Sequence, residues 1–185
     1  AQLAQENIET FKQYRFRKIL VTCPHCLNSL GKDYREFGTA YTVVHHSQLL
    51  AELLAAGRVP LDLAKGMDGL VTFHDPCYLG RYNDTVEPPR EVLVRLGAKT
   101  VEMEKSRKSG FCCGAGGGRI FLEETIGKRV NVERTEQALA TGAKTVAVGC
   151  PFCMTMMTDG TKAKNVEGSV RVRDLAELVA ERLAT

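Results

Sequence analysis

The stretch Lys18–Leu30 (KILVTCPHCLNSL) returns, altered but recognisable, as Lys144–Met156 (KTVAVGCPFCMTM). Each copy opens on a short apolar run rich in Val and Thr, a composition that favours a buried strand over a helix. Each run leads directly into Cys-Pro-x-Cys, with proline placed as in the first turn of a helix. Beyond it, each copy continues into a second short strand, Tyr41–His45 or Ser169–Arg173, and then an amphipathic helix. Pairing these later parts needs a small slip in register. Internal repetition of this kind constrains the fold more than any propensity does.

Three further runs read as strands: Gly69–Phe73, Lys99–Met103 and Thr145–Val148, the last inside the second copy. Helical spacing of apolar residues marks Ser47–Ala56 behind a Ser47 cap, Pro89–Leu96 before Gly97, Lys128–Ala140, and Asp174–Leu183 capped by Asp174. Thr161–Gly168 reads as a polar surface loop. Mostly apolar strands alternating with helices predict an α/β, Rossmann-like fold with a mostly parallel sheet and flanking helices. In the second copy, Cys77 and the pair Cys112-Cys113 precede the Cys-Pro-x-Cys. Their counterparts in the first copy would lie before residue 1. Residues 1–57 therefore read as the C-terminal part of a first repeat and 58–185 as a complete second one.

Composition matters chiefly for what it excludes. A chain of 185 residues with 44% hydrophobic and 25% charged side chains has the makings of a globular core. Net charge +3, from 25 basic and 22 acidic residues, is too balanced to argue for nucleic acid, and the absence of tryptophan leaves base stacking poorly supplied. No apolar run approaches the ~18–20 residues that span a bilayer. No leader opens the sequence, so the expected compartment is the cytoplasm, with membrane association only through parts outside this chain. Thiols stay reduced there, and seven cysteines then point to metal binding or redox chemistry rather than disulfides.

From Cys77 onward the pattern is C-x34-C-C-G-x35-C-x-x-C, ending at Cys153. If each group follows a strand, Cys77, Cys112, Cys113, Cys150 and Cys153 meet at the carboxyl edge of the sheet, where ligands bind in open α/β folds. A C-x-x-C at a helix start places two sulfurs where the dipole favours anions. Side chains of adjacent residues diverge, so Cys112 and Cys113 suit different irons of an extended cluster better than one small ion. Gly114, Gly116, Gly117 and Gly118 permit close backbone approach and an N–H nest over an anion. Zinc held by four of the cysteines is the alternative, as is phosphate at the glycines. Cys23-Pro-His-Cys26 alone also fits a thioredoxin-like redox pair. Two thiolates are too few for a cluster or a zinc ion, so this pair is expected to be metal-free or oxidised to itself. Of the rest, His45-His46 reads as structural and His74 as near the site. Arg81, Arg119 and Arg129 read as surface charge with the option of offsetting a cluster, and Met154, Met156 and Met157 as core.

The segments HDPCYLGRYN (74–83), CCGAGGGR (112–119), GKRVNVERTEQAL (127–139) and CPFCMTMMTDG (150–160) resemble the cysteine-rich "CCG" domain family. That family includes the heterodisulfide reductase B subunit and large membrane-associated iron–sulfur oxidoreductases with two such repeats. The resemblance implies that Cys77, Cys112, Cys113, Cys150 and Cys153 hold a noncubane [4Fe-4S] cluster. It also implies electron transfer within a larger oxidoreductase, from a flavoprotein or dehydrogenase donor, alongside ferredoxin-like domains, to a quinone or a thiol/disulfide acceptor. The first repeat departs from the family pattern in retaining only Cys23 and Cys26.

Overall fold

A computed structural model describes residues 1–184. Helix α1 (Gln2–Lys12) precedes β1 (Ile19–Val21), α2 (Pro24–Gly31), β2 (Val43–His45) and α3 (His46–Ala55). Then follow β3 (Leu70–Phe73), the single turn α4 (Cys77–Gly80), α5 (Glu87–Arg95) and β4 (Lys99–Thr100). The last stretch holds α6 (Val130–Leu139), β5 (Thr145–Val148), α7 (Pro151–Ala163), β6 (Arg171–Asp174) and α8 (Leu175–Ala180). Strands β4-β3-β5-β6 form one sheet and β1-β2 a second, and every pairing is parallel. The α/β class and the parallel sheet with flanking helices follow the sequence reading.

Alternation along β5 divides the core. Ala147 faces Val71 and Phe73 of β3, with Leu54 of α3, Leu93 of α5 and Leu178 of α8 packed on that side. Val146 and Val148 face the other way, onto Ala138 of α6, Met157 of α7 and Met103. Helices thus cover both faces, as a parallel sheet requires. A smaller cluster of Val21, Leu27 and Leu79 joins β1 and α2 to α4, so the turn carrying Cys77 is part of the first unit's packing.

Several boundaries move, each for a visible reason. Helix α3 is capped by His45 and not by Ser47. The Ser47 N–H donates to His45 Nδ1, and the His45 N–H donates to Gln48 in return, closing a capping box. Of the run 99–103, Lys99 and Thr100 pair with β3 and Val101 N–H donates to Val71 O, before Met103 turns into the core. Helix α5 starts at Glu87, with both prolines in its first turn, and α6 starts only at Val130. Helix α7 runs to Ala163, so the surface loop begins later than Thr161. Gly160 sits inside α7 because a Cβ there would meet Thr135 Oγ1 at 2.0 Å, which lets α6 and α7 approach closely. Helix α1 carries no strong sequence signal and is an addition to the elements read from the residues.

Candidate metal centre

Three strands of like direction deliver the cysteines to one edge. Cys23 follows β1, Cys77 follows β3 after His74-Asp75-Pro76, and Cys150 follows β5 after Gly149. The long connection before α6 brings in Cys112 and Cys113. All seven thiols are free; Cys23, Cys113, Cys150 and Cys153 are buried, and Cys26 is exposed. Cys153 Sγ lies 3.4 Å from Cys113 Sγ. Cys112 neighbours both Cys77 and Cys113, and Cys113 neighbours Cys153 in turn, so the adjacent pair bridges the two ends of the group instead of diverging.

Cys23 joins this group, although nothing local to its own repeat would place it there. Its sulfur and a ring nitrogen of His25 lie within 4.8 Å of Cys150 Sγ. The thiols consequently form a line of six, from Cys77 through Cys112, Cys113, Cys153 and Cys150 to Cys23. Proton sharing polarises it. Hydrogen bonds from the Cys113 and Cys77 thiols hold Cys112 down to about 2. The Cys153 and Cys23 thiols do the same for Cys150, also about 2, helped by the first N–H groups of α7. The neighbours that keep the protons are pushed up, Cys113 to about 12. The line thus favours anionic sulfur at Cys112 and Cys150, and binding a metal releases the thiol protons.

Gly114 donates its N–H to Cys112 Sγ at 3.3 Å. Its φ is +91°, and a Cβ would stand 3.0 Å from Val130 Cβ, so glycine is required on both counts. Gly116, Gly117 and Gly118 stand exposed at the start of a short 3-10 turn, with open space where a Cβ would be. Met156, Ala115 and Ile120 pack against Cys113, Cys150 and Cys153 as an apolar wall. At the Cys77–Cys112 end a hollow of about 420 Å³ opens, walled by Tyr78, Arg81 and Tyr82. The two tyrosine rings stack 4.5 Å apart, and His25 packs 4.1 Å from Tyr78.

Charge at the buried end comes from a residue that the sequence reading does not single out. Arg134 of α6 has no exposed surface; its Nε–H donates to His74 Nδ1 at 3.0 Å, and Nη1 donates to Lys105 O and Gln137 Oε1, each at 2.8 Å. Burial lowers Arg134 only to about 10, so the guanidinium remains charged at neutral pH. Burial first, then the charge of Arg134, pushes His74 down to about 3. Asp75 accepts a bidentate pair from Arg90 at 2.8 and 2.9 Å and the Arg107 N–H at 2.6 Å, which pins the strand end before Cys77. Arg81, Arg119 and Arg129 are exposed, as surface charge. Arg134 lies in a helix that the apolar spacing marks as amphipathic, and its charge places it with the polar face of that pattern. The available signal is the spacing Asn131, Arg134, Thr135, Ala138, which puts all four on one face, and that face is buried.

Among the described residues, His74 Nε2 and Arg134 Nη2 are buried without a partner. Each unmade donor costs about 1–3 kcal/mol. Six contiguous sulfurs exceed the four donors of a tetrahedral zinc site. Rich in thiols, walled by apolar groups and lying beside a buried imidazole with an unpaired N–H, the site fits a polynuclear centre of net negative charge.

A profile of the cysteine-rich domain family matches residues 1–31 and 71–158. The chain is 46% identical over 181 residues to the probable iron-sulfur-binding oxidoreductase FadF of Bacillus subtilis, covering 97% of this chain and 25% of that protein. It is 41% identical over 184 residues to the EtfAB:quinone oxidoreductase of Syntrophomonas wolfei, covering 96% and 26%. It is 34% identical over 186 residues to one of the subunits of the dihydromethanophenazine:CoB–CoM heterodisulfide reductase of Methanosarcina barkeri, covering 98% and 44%. The chain thus spans about a quarter of the first two relatives and under half of the third. Paired strand-to-helix turns, the Cys112-Cys113-Gly114 corner and these relatives agree: the chain belongs to the cysteine-rich (CCG) domain family.

Proposed function

We propose that this chain is an iron–sulfur electron-transfer module of a larger, heterodisulfide-reductase-like oxidoreductase. The observation that carries this reading is the line of sulfurs beside His74, a buried imidazole whose Nε2 has no partner among the described residues. Cys77, Cys112, Cys113, Cys150 and Cys153 are assigned as ligands of a noncubane [4Fe-4S] cluster, beneath the loop of Gly114, Gly116, Gly117 and Gly118. When bound, such a cluster supplies reversible one-electron transfer. The chain's own residues do the rest. Gly114 N–H and the start of α7 favour anionic sulfur at Cys112 and Cys150, and Met156, Ala115 and Ile120 pack an apolar wall against the sulfurs.

Residues 1–57 are assigned as the tail of a first repeat and 58–185 as a complete second one. The electron donor is a flavoprotein or dehydrogenase and the acceptor a quinone or a disulfide, as the names of two relatives suggest. Ferredoxin-like domains of the same complex are the expected neighbours. No helix among the described residues is long and apolar enough to cross a membrane. We assign the module to the cytoplasm, at the inner membrane face through parts outside this chain.

Anaerobic reconstitution of the full-length protein, with iron and acid-labile sulfide measured, tests the assignment. Serine at any of the five positions should lower both. Full iron and an unchanged spectrum in Cys112→Ser or Cys113→Ser would leave a four-cysteine site instead. Stoichiometric zinc with no iron in the wild type would overturn the redox reading.

A further inference from the structure

His74 has the position of a ligand and the hydrogen bonding of a donor. One of its ring nitrogens lies within 4.8 Å of both Cys113 and Cys153 Sγ, and the side chain is wholly buried. Taken alone, that places an imidazole among metal-binding sulfurs. Arg134 decides otherwise. A guanidinium carries donors only, so His74 Nδ1, 3.0 Å from Arg134 Nε, must be the accepting nitrogen. The ring hydrogen therefore resides on Nε2, which is buried and finds no acceptor among the described residues. An N–H cannot ligate a metal. Moving the hydrogen to Nδ1 would set it against the N–H of Arg134. That arginine is itself held by Lys105 O and Gln137 Oε1 and cannot turn aside without breaking both bonds.

We propose that His74 is a hydrogen-bond donor to the metal-bound sulfurs at Cys113 and Cys153, not a ligand, and that Arg134 is the positioning residue that fixes it as a donor. The proposal rests on the iron–sulfur reading above. Reduction adds negative charge to the centre, and an N–H aimed at sulfur stabilises the added electron. Arg134 acts in the same direction, with Nη2 buried and also unpartnered. The pair therefore raises the reduction potential of the centre, His74 from the strand end after β3 and Arg134 from α6.

The test uses the full-length protein, reconstituted anaerobically, with His74→Leu, His74→Gln and Arg134→Met. Glutamine keeps an N–H near the Nε2 position; leucine keeps bulk alone. The expected result is unchanged iron and sulfide in all three variants. The midpoint potential falls in His74→Leu by the equivalent of about a tenfold loss in the reduction equilibrium, about 59 mV for one electron. His74→Gln recovers part of the shift, and Arg134→Met falls in the same direction. Electron–nuclear resonance on the reduced wild type, which needs no variant to fold, should find an exchangeable proton coupled to the cluster and only weak nitrogen coupling. Strong nitrogen coupling, or loss of one iron in both His74 variants, would make His74 a ligand and overturn the proposal. An unshifted potential in His74→Leu would overturn it as well. A wild type that takes up no iron would instead overturn the iron–sulfur reading.

Discussion

The two Cys-Pro-x-Cys units share a plan and differ in surroundings. In the first, β1, α2, β2 and α3 follow one another; in the second, β5, α7, β6 and α8 do the same. Both strand pairs are parallel, and both closing helices begin with a capping box, His45 with Gln48 and Asp174 with Glu177. Yet β5 is buried along its whole length between β3 and β6, while Leu20 of β1 is 53% exposed and β1 pairs only with β2. Cys150 and Cys153 are buried, but of the first pair only Cys23 is. Local sequence is enough to build the strand–turn–helix unit. A cysteine pair becomes part of a centre only where β3 and the Cys112-Cys113 corner stand beside it.

The largest expected contrast lies in the cysteines themselves. Cys150→Ser or Cys153→Ser should remove most of the iron on reconstitution, and Cys26→Ser none. Cys23→Ser should fall between them, because its thiol adjoins Cys150. Equal losses at Cys23 and Cys150 would show that the two units contribute alike. Packing gives the next contrast. Met157 and Leu30 each follow the second cysteine of their turn by one helical turn, but only Met157 is fully buried. Met157→Ala should cost about 2–5 kcal/mol in urea unfolding, and Leu30→Ala about 1 kcal/mol. Costs that match would mean the first unit has a core of equal quality.

The smallest contrast is in acid. Burial first, then His46, lowers His45 from 6.5 to about 4 in the folded chain. A histidine whose folded value is depressed contributes stability that is complete above the unfolded value and is lost as pH falls through the folded one. His45 alone should therefore lower the unfolding free energy by about 1.4 kcal/mol per pH unit between those two values, in addition to the like-signed drop from His74, whose folded value is about 3. His45→Asn keeps a good cap without a titrating ring, and its pH slope over that window should be flatter. An unchanged slope would place the acid sensitivity elsewhere.

Much of this is legible in the residues because it is local. A Val-rich run before Cys-Pro-x-Cys fixes strand, turn and helix within a dozen positions, and parallel strands then force their ends to one edge. What escapes is long-range. The contact of Cys23 with Cys150 joins two units, and Arg134 is held from outside α6 by His74, 60 positions earlier, and by Lys105 O. Arg90 likewise looks like an ordinary surface residue until Asp75 and Glu102 both reach it. Ser47 reads as the cap because histidine seldom serves as one. Its hydroxyl lies 2.8 Å from His45 Nδ1 instead.

His45 Nε2–H donates to Gly149 O at 3.1 Å, across 104 positions of sequence. The carbonyl just before Cys150 is therefore anchored by a residue made long before it on the ribosome. While the chain is being synthesised, Cys23 and Cys26 wait with no partner sulfurs from the second unit, and the Cys150 turn has no anchor until the sheet closes. Contacts this distant form late in folding. Cys150 and Cys153 accordingly join Cys77, Cys112 and Cys113 only once β5 has entered the sheet, and the assembled line of sulfurs opens to solvent between Tyr78, Arg81 and Tyr82.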